Sequence, residues 1–174
     1  MAGVWIRRAS VDDARAIAVV HVQAWQAAYR GLIPHEYLDG LDTQQRAEMW
    51  AGILATQDRP RAGTLVATDG ADIVGFAAVC PSRDDDADPL TMGEIPAIYL
   101  LRTQWGTGLG RQLMRTALIV LHEGGYREAT LWVLDTNERA RRFYLAGGWR
   151  ADGAVKQDMS HGIELTELRY RRAI

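Results

Sequence analysis

The sequence predicts a mixed α/β (α+β) fold, and three observations predict it. The hydrophobic spacing switches repeatedly between helical and strand periods. The element order this gives is β–α–α–β–β–β–α–β–α–β–β. The 174 residues show no internal repeat and no linker, so one domain is expected over 1–174. Three consecutive strands break any plain alternation of strand with helix, which argues against a doubly wound parallel sheet. A mixed, mostly antiparallel central sheet with helices on both faces fits the order.

The elements follow in turn. Residues 4–9 are rich in β-formers and predict a first strand. Ser10 stands three residues before Asp13, the spacing of a capping box that opens a helix. In that helix Ile17, His21, Ala24 and Ala28 recur on one face, until Gly31 and Pro34 break it. A second helix opens at Thr43, with Ala47, Trp50, Ala51 and Leu54 on one side. Residues 64–68 and 73–80 are β-rich runs around Asp69-Gly70-Ala71-Asp72, a hairpin pattern. A polar loop, 81–89, carries Asp84, Asp85, Asp86 and Asp88, and residues 95–101 form a further strand. The glycine-rich stretch 105–110 leads into a helix with Leu109, Leu113, Ala117 and Val120 on one stripe. Residues 130–134 predict a strand, and 137–146 a short helix ended by Gly147 and Gly148. The last two strands are expected at 154–157 and 164–170.

Composition excludes several classes. The formal net charge is −2, from 20 Lys and Arg against 22 Asp and Glu, so no basic field for nucleic acid exists. Cys80 is the one cysteine, which rules out an internal disulfide and fits a reducing compartment. The first residues lack the apolar run of a signal peptide, and no stretch approaches the ~18 apolar residues of a membrane helix. A cytoplasmic protein is expected, with no membrane partner.

Trp105-Gly106-Thr107-Gly108-Leu109-Gly110 joins a strand to a helix. Residues without Cβ let the backbone approach a ligand and expose successive N–H groups. The helix that follows adds its N-terminal partial charge, and Arg111 a full one. The product is an anion site suited to a pyrophosphate; a tight strand-to-helix turn with no ligand is the alternative. The dinucleotide fingerprint G-x-G-x-x-G fails from both starts, since Arg111 and Leu113 occupy its third glycine position. That argues against a nicotinamide-dependent oxidoreductase. No Gly-Lys-Ser/Thr follows, so the P-loop pattern fails as well.

With the strand before it, residues 97–114 resemble the acetyl-CoA-binding motif of the GNAT N-acetyltransferase family. Downstream, residues 131–149 resemble that family's second motif: strand, Asn137, a helix with Phe143-Tyr144, then Gly148-Trp149. The resemblance covers nearly the whole chain. It implies an acetyl-CoA cleft where two parallel strands, 95–101 and 130–134, splay apart. Backbone groups at Ile98, Tyr99 and Leu100 would meet the pantetheine and the acetyl carbonyl. Trp105, Gly106, Thr107, Gly108, Leu109, Gly110 and Arg111 would hold the pyrophosphate. Asn137 matches the asparagine that contacts the cofactor arm, and Tyr144 the tyrosine beside the thioester sulfur. Trp105 replaces a Gln or Arg usual in the family, and Arg102 a common proline. Trp132 stands where the branch acting on ribosomal-protein N-termini carries a catalytic glutamate.

The chemistry so implied is acetyl transfer from acetyl-CoA to a primary amine by direct attack on the thioester. An alkyl amine, with pKa of roughly 10, must first lose a proton. Glu94 is the candidate base, and alternation along its strand predicts Glu94, Ile98 and Leu100 on one face. A solvated carboxylate at a strand end is the alternative. Tyr144 is the candidate donor to the leaving thiolate, or else an aromatic packing beside Phe143. In the family the first long helix and the loop after it, here 31–37, wall the acceptor site, so Trp25 and Tyr29 are candidate acceptor contacts or core aromatics. His21 reads as a packed or partly exposed histidine rather than a base. His35, His122 and His161 have no metal spacing with Cys80, which reads as a small buried apolar residue, and no metal is expected. The aspartates at 84–88 read as a solvated loop. The acceptor is a small-molecule or a peptide amine, and a homodimer is left open. A non-catalytic acyl-CoA-binding module is the rival from another class.

Overall fold

The computed structural model of the chain describes residues 3–159 and 162–174, so His161 lies outside the described residues. Its strands are β1 (Val4–Arg8), β2 (Gly63–Asp69), β3 (Asp72–Pro81), β4 (Met92–Leu100), β5 (Glu128–Leu134), β6 (Arg150–Asp158) and β7 (Leu165–Ala173). Its helices are α1 (Ala14–Ala28), α2 (His35–Asp39), α3 (Thr43–Ala55), α4 (Leu109–Glu123) and α5 (Glu138–Ala146). The strands form one sheet in the order β1-β2-β3-β4-β5-β7-β6, in which only β4 and β5 run parallel.

Local chemistry sets the element ends. The Asp13 carboxylate accepts the Ser10 N–H at 2.8 Å and pairs with Arg7 at 2.7 Å, which fixes a single 3-10 turn before α1. Asp42 caps α3 by accepting from the N–H groups of Gln44 and Gln45. Asn137 caps α5 through Oδ1, which accepts the Ala140 N–H at 3.1 Å.

The sheet buries both faces. Leu113, Ala117 and Leu121 of α4 pack with Ala77, Val79, Ile95, Leu131 and Val133 on one. Ile17 and Ala18 of α1 and Trp50 of α3 pack with Val66, Phe76 and Ala78 on the other. Ile33, Leu38, Leu134 and Leu165 close a smaller cluster where α2 meets the ends of β5 and β7.

Three elements depart from the sequence expectation. Helix α2 takes up the end of the stretch expected as a loop at 31–37, started by Pro34 with its φ of −52° and anchored by buried Leu38. Strand β4 begins at Met92, three residues early. Strand β6 spans nine residues where four were expected, because an exposed edge strand carries no apolar alternation to announce it.

The strand that leads to the glycine loop holds a correction. Ala78 of β3 stands opposite Ala97 and Cys80 opposite Glu94, so two steps along β3 meet three along β4. This bulge inverts the side-chain alternation. Glu94 therefore shares its face with Ala97 and Tyr99, not with Ile98 and Leu100, which join Ile95 on the α4 side.

Parallel pairing is brief: Met92 opposite Glu128, Gly93 opposite Ala129, Glu94 opposite Thr130. Beyond that point β4 stays paired with β3 as far as Leu100, and β5 with β7 as far as Leu134. Each strand is held from its outer edge while the inner edges part. Among the described residues no helix is long and apolar enough to cross a membrane.

Candidate active site

A cavity of about 570 Å³ occupies the gap between β4 and β5, a size suited to a small-molecule site. Trp105, Gly110, Arg139, Phe143 and Tyr144 line it from the α4 and α5 side. Trp25, Tyr29 and Tyr99 line it from the α1 side, and Trp132, Lys156 and Glu167 from the far strands. The splay thus opens a passage through the sheet.

The Leu101 N–H donates to the Val74 carbonyl at 2.9 Å, which fixes the phase of the β3–β4 ladder. Alternate residues then point the other way. The N–H and C=O groups of Ile98 and Leu100 face the gap, while those of Tyr99 face β3. What Tyr99 gives the cavity is its side chain. The Leu100 carbonyl accepts the Trp105 indole N–H at 3.2 Å, which folds Trp105 back against the strand.

The glycine loop is open to an anion. Gly106 and Gly108 have φ of +80° and +91°, and a Cβ built on either meets nothing within 4 Å. Gly110 serves close packing instead: its Cβ would sit 3.1 Å from Leu100 and 3.5 Å from Phe143. The Leu109 N–H donates to the Thr107 hydroxyl at 3.3 Å. Among the described residues the amides of Gly106, Thr107, Gly108 and Gly110 have no acceptor. Arg111 is exposed in the first turn of α4.

Glu94 is 3% exposed and held by Arg83. Its Oε1 accepts from Arg83 Nη2 at 2.6 Å, and its Oε2 from Arg83 Nε and N–H, both at 3.1 Å. These bonds raise the Arg83 guanidinium further above its usual pKa. Burial, with the Glu94 charge beside it, pushes the Cys80 thiol up to about 12, so Cys80 stays protonated.

Three tyrosines line the cavity, Tyr29 and Tyr99 from the α1 side and Tyr144 from the α5 side. The Tyr29 and Tyr99 hydroxyls lie 3.3 Å apart. The Tyr144 hydroxyl takes no hydrogen bond among the described residues, and its ring packs against Phe143, Trp149 and Tyr170. Burial raises the pKa of all three phenols. His21 is buried, stacked on Tyr99, and accepts the Trp50 indole N–H on Nδ1 at 3.1 Å. Burial, and then the charge of Arg46, lowers its pKa to about 3. It is a neutral core residue, as its spacing suggested.

Trp25 packs edge-on against Tyr29 at 5.0 Å between ring centres. Asn137, 8% exposed, lines the cavity while capping α5. Among the described residues no three His, Cys, Asp or Glu side chains gather as a metal site.

Sequence reasoning missed three arginines, because each partner lies far off in sequence. Arg83 holds Glu94. The Arg139 guanidinium lies 3.2 Å from the centre of the Trp105 ring. Arg169, 5% exposed, binds Asp84, Asp86 and Asp152 at 3.2, 2.5 and 2.8 Å. The run at 84–88 is therefore no plain solvated loop: two of its carboxylates tie it to β7, and Asp84 also accepts the Trp132 indole N–H at 2.9 Å.

Residues 22–148 match the family model of the GNAT acetyltransferases. The uncharacterized N-acetyltransferase YuaI of Bacillus subtilis is 32% identical over 77% of this chain and 73% of its own. An N-acetyltransferase of Archaeoglobus fulgidus is 34% identical over 80% of this chain and 88% of its own. Among solved structures, the PaiA N-acetyltransferase of Thermoplasma acidophilum, in complex with coenzyme A, superposes with a TM-score of 0.77 at 18% identity, covering 99% of both chains. YncA of Salmonella typhimurium, a putative acetyltransferase with acetyl-CoA bound, gives 0.72 at 18%, covering 98% of this chain and 94% of its own. These two likenesses establish the fold, and the matched family model with the closer sequence relatives establishes the lineage: this chain is an acyltransferase and belongs to the GNAT acetyltransferase family.

Proposed function

We propose that the protein transfers an acetyl group from acetyl-CoA to a primary amine, without a covalent enzyme intermediate. The observation that carries this reading is the parting of β4 from β5 beyond Glu94 and Thr130, with four loop amides in the strand-to-helix turn after β4 that have no acceptor among the described residues. The solved YncA structure holds acetyl-CoA, which supports the choice of donor.

When bound, acetyl-CoA supplies an activated thioester carbonyl, at which the amine nitrogen forms its bond as the carbon–sulfur bond breaks. The loop amides and the α4 N-terminus hold the pyrophosphate. Ile98 and Leu100 offer backbone groups to the pantetheine arm and to the oxyanion. Asn137 keeps its Nδ2 for the arm while Oδ1 caps α5.

Glu94 takes the proton from the amine, through water. A carboxylate has about four acceptor positions, and Arg83 fills three, which leaves one on Oε1. Tyr144 donates its free hydroxyl to the departing sulfur. With its pKa raised by burial, it stabilises the thiolate by a hydrogen bond instead of surrendering its proton outright. Trp25, Tyr29 and Tyr99 form the acceptor wall.

The test is thiol release from acetyl-CoA in the presence of polyamines, amino acids, aminoglycosides or peptides, with products weighed by mass spectrometry. Amine-dependent release and one added acetyl group are expected from at least one class. Donor binding with no amine-dependent release would make the chain a binding module.

A further inference from the structure

Trp105 opens the glycine loop, and its one polar group, the indole N–H, is already given to the Leu100 carbonyl. The structure brings a cation to that place from another element. Arg139, in the first turn of α5, lies with its guanidinium carbon 3.2 Å from the centre of the Trp105 ring. The ring cannot swing away, because its N–H is bonded to the Leu100 carbonyl at 3.2 Å. Both side chains line the cavity together with Gly110 of the loop. Arg139 has no carboxylate within 4 Å among the described residues, whereas Arg83 and Arg169 are both paired. It is exposed, so a ligand can reach it. Its guanidinium is held below its usual pKa, first by burial and then by the charge of Arg102.

A guanidinium held without a counter-charge costs free energy that a bound dianion returns. A cation over an indole face is held in place while its N–H edge stays available. We propose that Arg139, seated on Trp105, is the side-chain cation that pairs with the pyrophosphate of the acyl donor. The proposal rests on the donor site described above. Trp105 is then a positioning residue: it holds the arginine over the loop and makes no polar contact of its own with the phosphates.

The test is calorimetry of CoA and of 3′-dephospho-CoA on the intact protein, at low and raised salt. The variants are Arg139→Gln, Arg139→Lys and Trp105→Leu, each checked for native circular dichroism. Charge-assisted hydrogen bonds predict that Arg139→Gln weakens both ligands alike, by about 10- to 100-fold. Its affinity should also fall less with salt than that of the wild type. Arg139→Lys should recover part of the loss, and Trp105→Leu should fall between wild type and Arg139→Gln. Unchanged affinity in Arg139→Gln overturns the proposal while leaving the donor site standing. A loss confined to CoA also overturns it, because the charge then meets the 3′-phosphate. If the wild type binds neither ligand, the donor site itself fails.

Discussion

Glu94 and Thr130 are the last residues paired between β4 and β5, and Glu94 spends its carboxylate on Arg83 instead of on the gap that opens beside it. The end of pairing and the candidate base thus fall on one residue. The bulge in β4 turns that residue toward the α1 side, where Tyr29 and Tyr99 stand, while Ile98 and Leu100 face α4. The candidate base and the proposed acceptor wall are therefore on one side of the sheet, and the glycine loop on the other.

Removal of the charge at Glu94 should act through the amine's proton. Glu94→Gln keeps an acceptor for Arg83 but cannot take a proton. The maximal rate should fall by roughly 10²-fold or more near neutral pH. The deficit should shrink as pH rises toward the amine pKa of about 10, where free amine is abundant. A pH–rate profile of both proteins checks this, and a deficit independent of pH would leave Glu94 as a structural partner of Arg83.

Gly108 separates backbone strain from charge. With φ at +91°, any side chain there strains the backbone, at a cost on the order of 1–2 kcal/mol. Gly108→Asn carries that cost alone, whereas Gly108→Asp also puts a carboxylate at the anion site. Acetyl-CoA affinity should fall at least ~10-fold further in the aspartate variant than in the asparagine variant. Equal affinities by calorimetry would remove the pyrophosphate from this loop.

Tyr144→Phe keeps the ring and its contacts with Phe143, Trp149 and Tyr170. Folding stability and donor affinity should change little, because the lost hydroxyl has no hydrogen-bond partner among the described residues. The chemical step should slow by roughly 10²-fold, as expected where a donor acts only as thiolate charge develops. Product release can mask such a loss, so the measurement is single-turnover transfer with acetyl-CoA prebound. A wild-type rate would leave Tyr144 as packing alone.

Stability should fall on mild acidification because of His21. Its folded pKa of about 3 lies below the ordinary 6.5, so between these values the unfolded chain binds one more proton. The contribution is complete above pH 6.5 and declines as pH falls toward 3, at up to about 1.4 kcal/mol per pH unit. Denaturant melts from pH 7 to pH 4.5 check the slope, which should flatten in His21→Gln. A slope unchanged by that substitution would assign the effect to other groups.

The fold, and the convergence of Trp105, Gly110, Asn137, Phe143 and Tyr144 on one cavity, were legible in the sequence because their signals are local. A strand, a glycine loop and a helix adjoin one another at 95–111, and Asn137, Phe143 and Tyr144 lie within one helix and its cap. The rest depends on contacts that sequence spacing does not encode. Trp105 and Arg139 meet from 34 positions apart, and Asp86 and Arg169 from 83. The bulge at Glu94 shows only in the register against β3, so plain alternation assigned the wrong face. Helix α2 is one short turn held by Leu38, too brief for periodicity to reveal.

Amide hydrogen exchange with and without acetyl-CoA tests most directly whether the donor lies in the gap between β4 and β5. The N–H groups of Ile98 and Leu100 face the gap, and those of Gly106, Thr107, Gly108 and Gly110 have no acceptor among the described residues. A donor seated there should slow exchange across 98–110, while strands β1 and β2 on the far edge of the sheet stay unchanged. Saturable binding of acetyl-CoA with exchange at 98–110 unaltered would contradict the account, since the donor would then lie somewhere other than in the cleft.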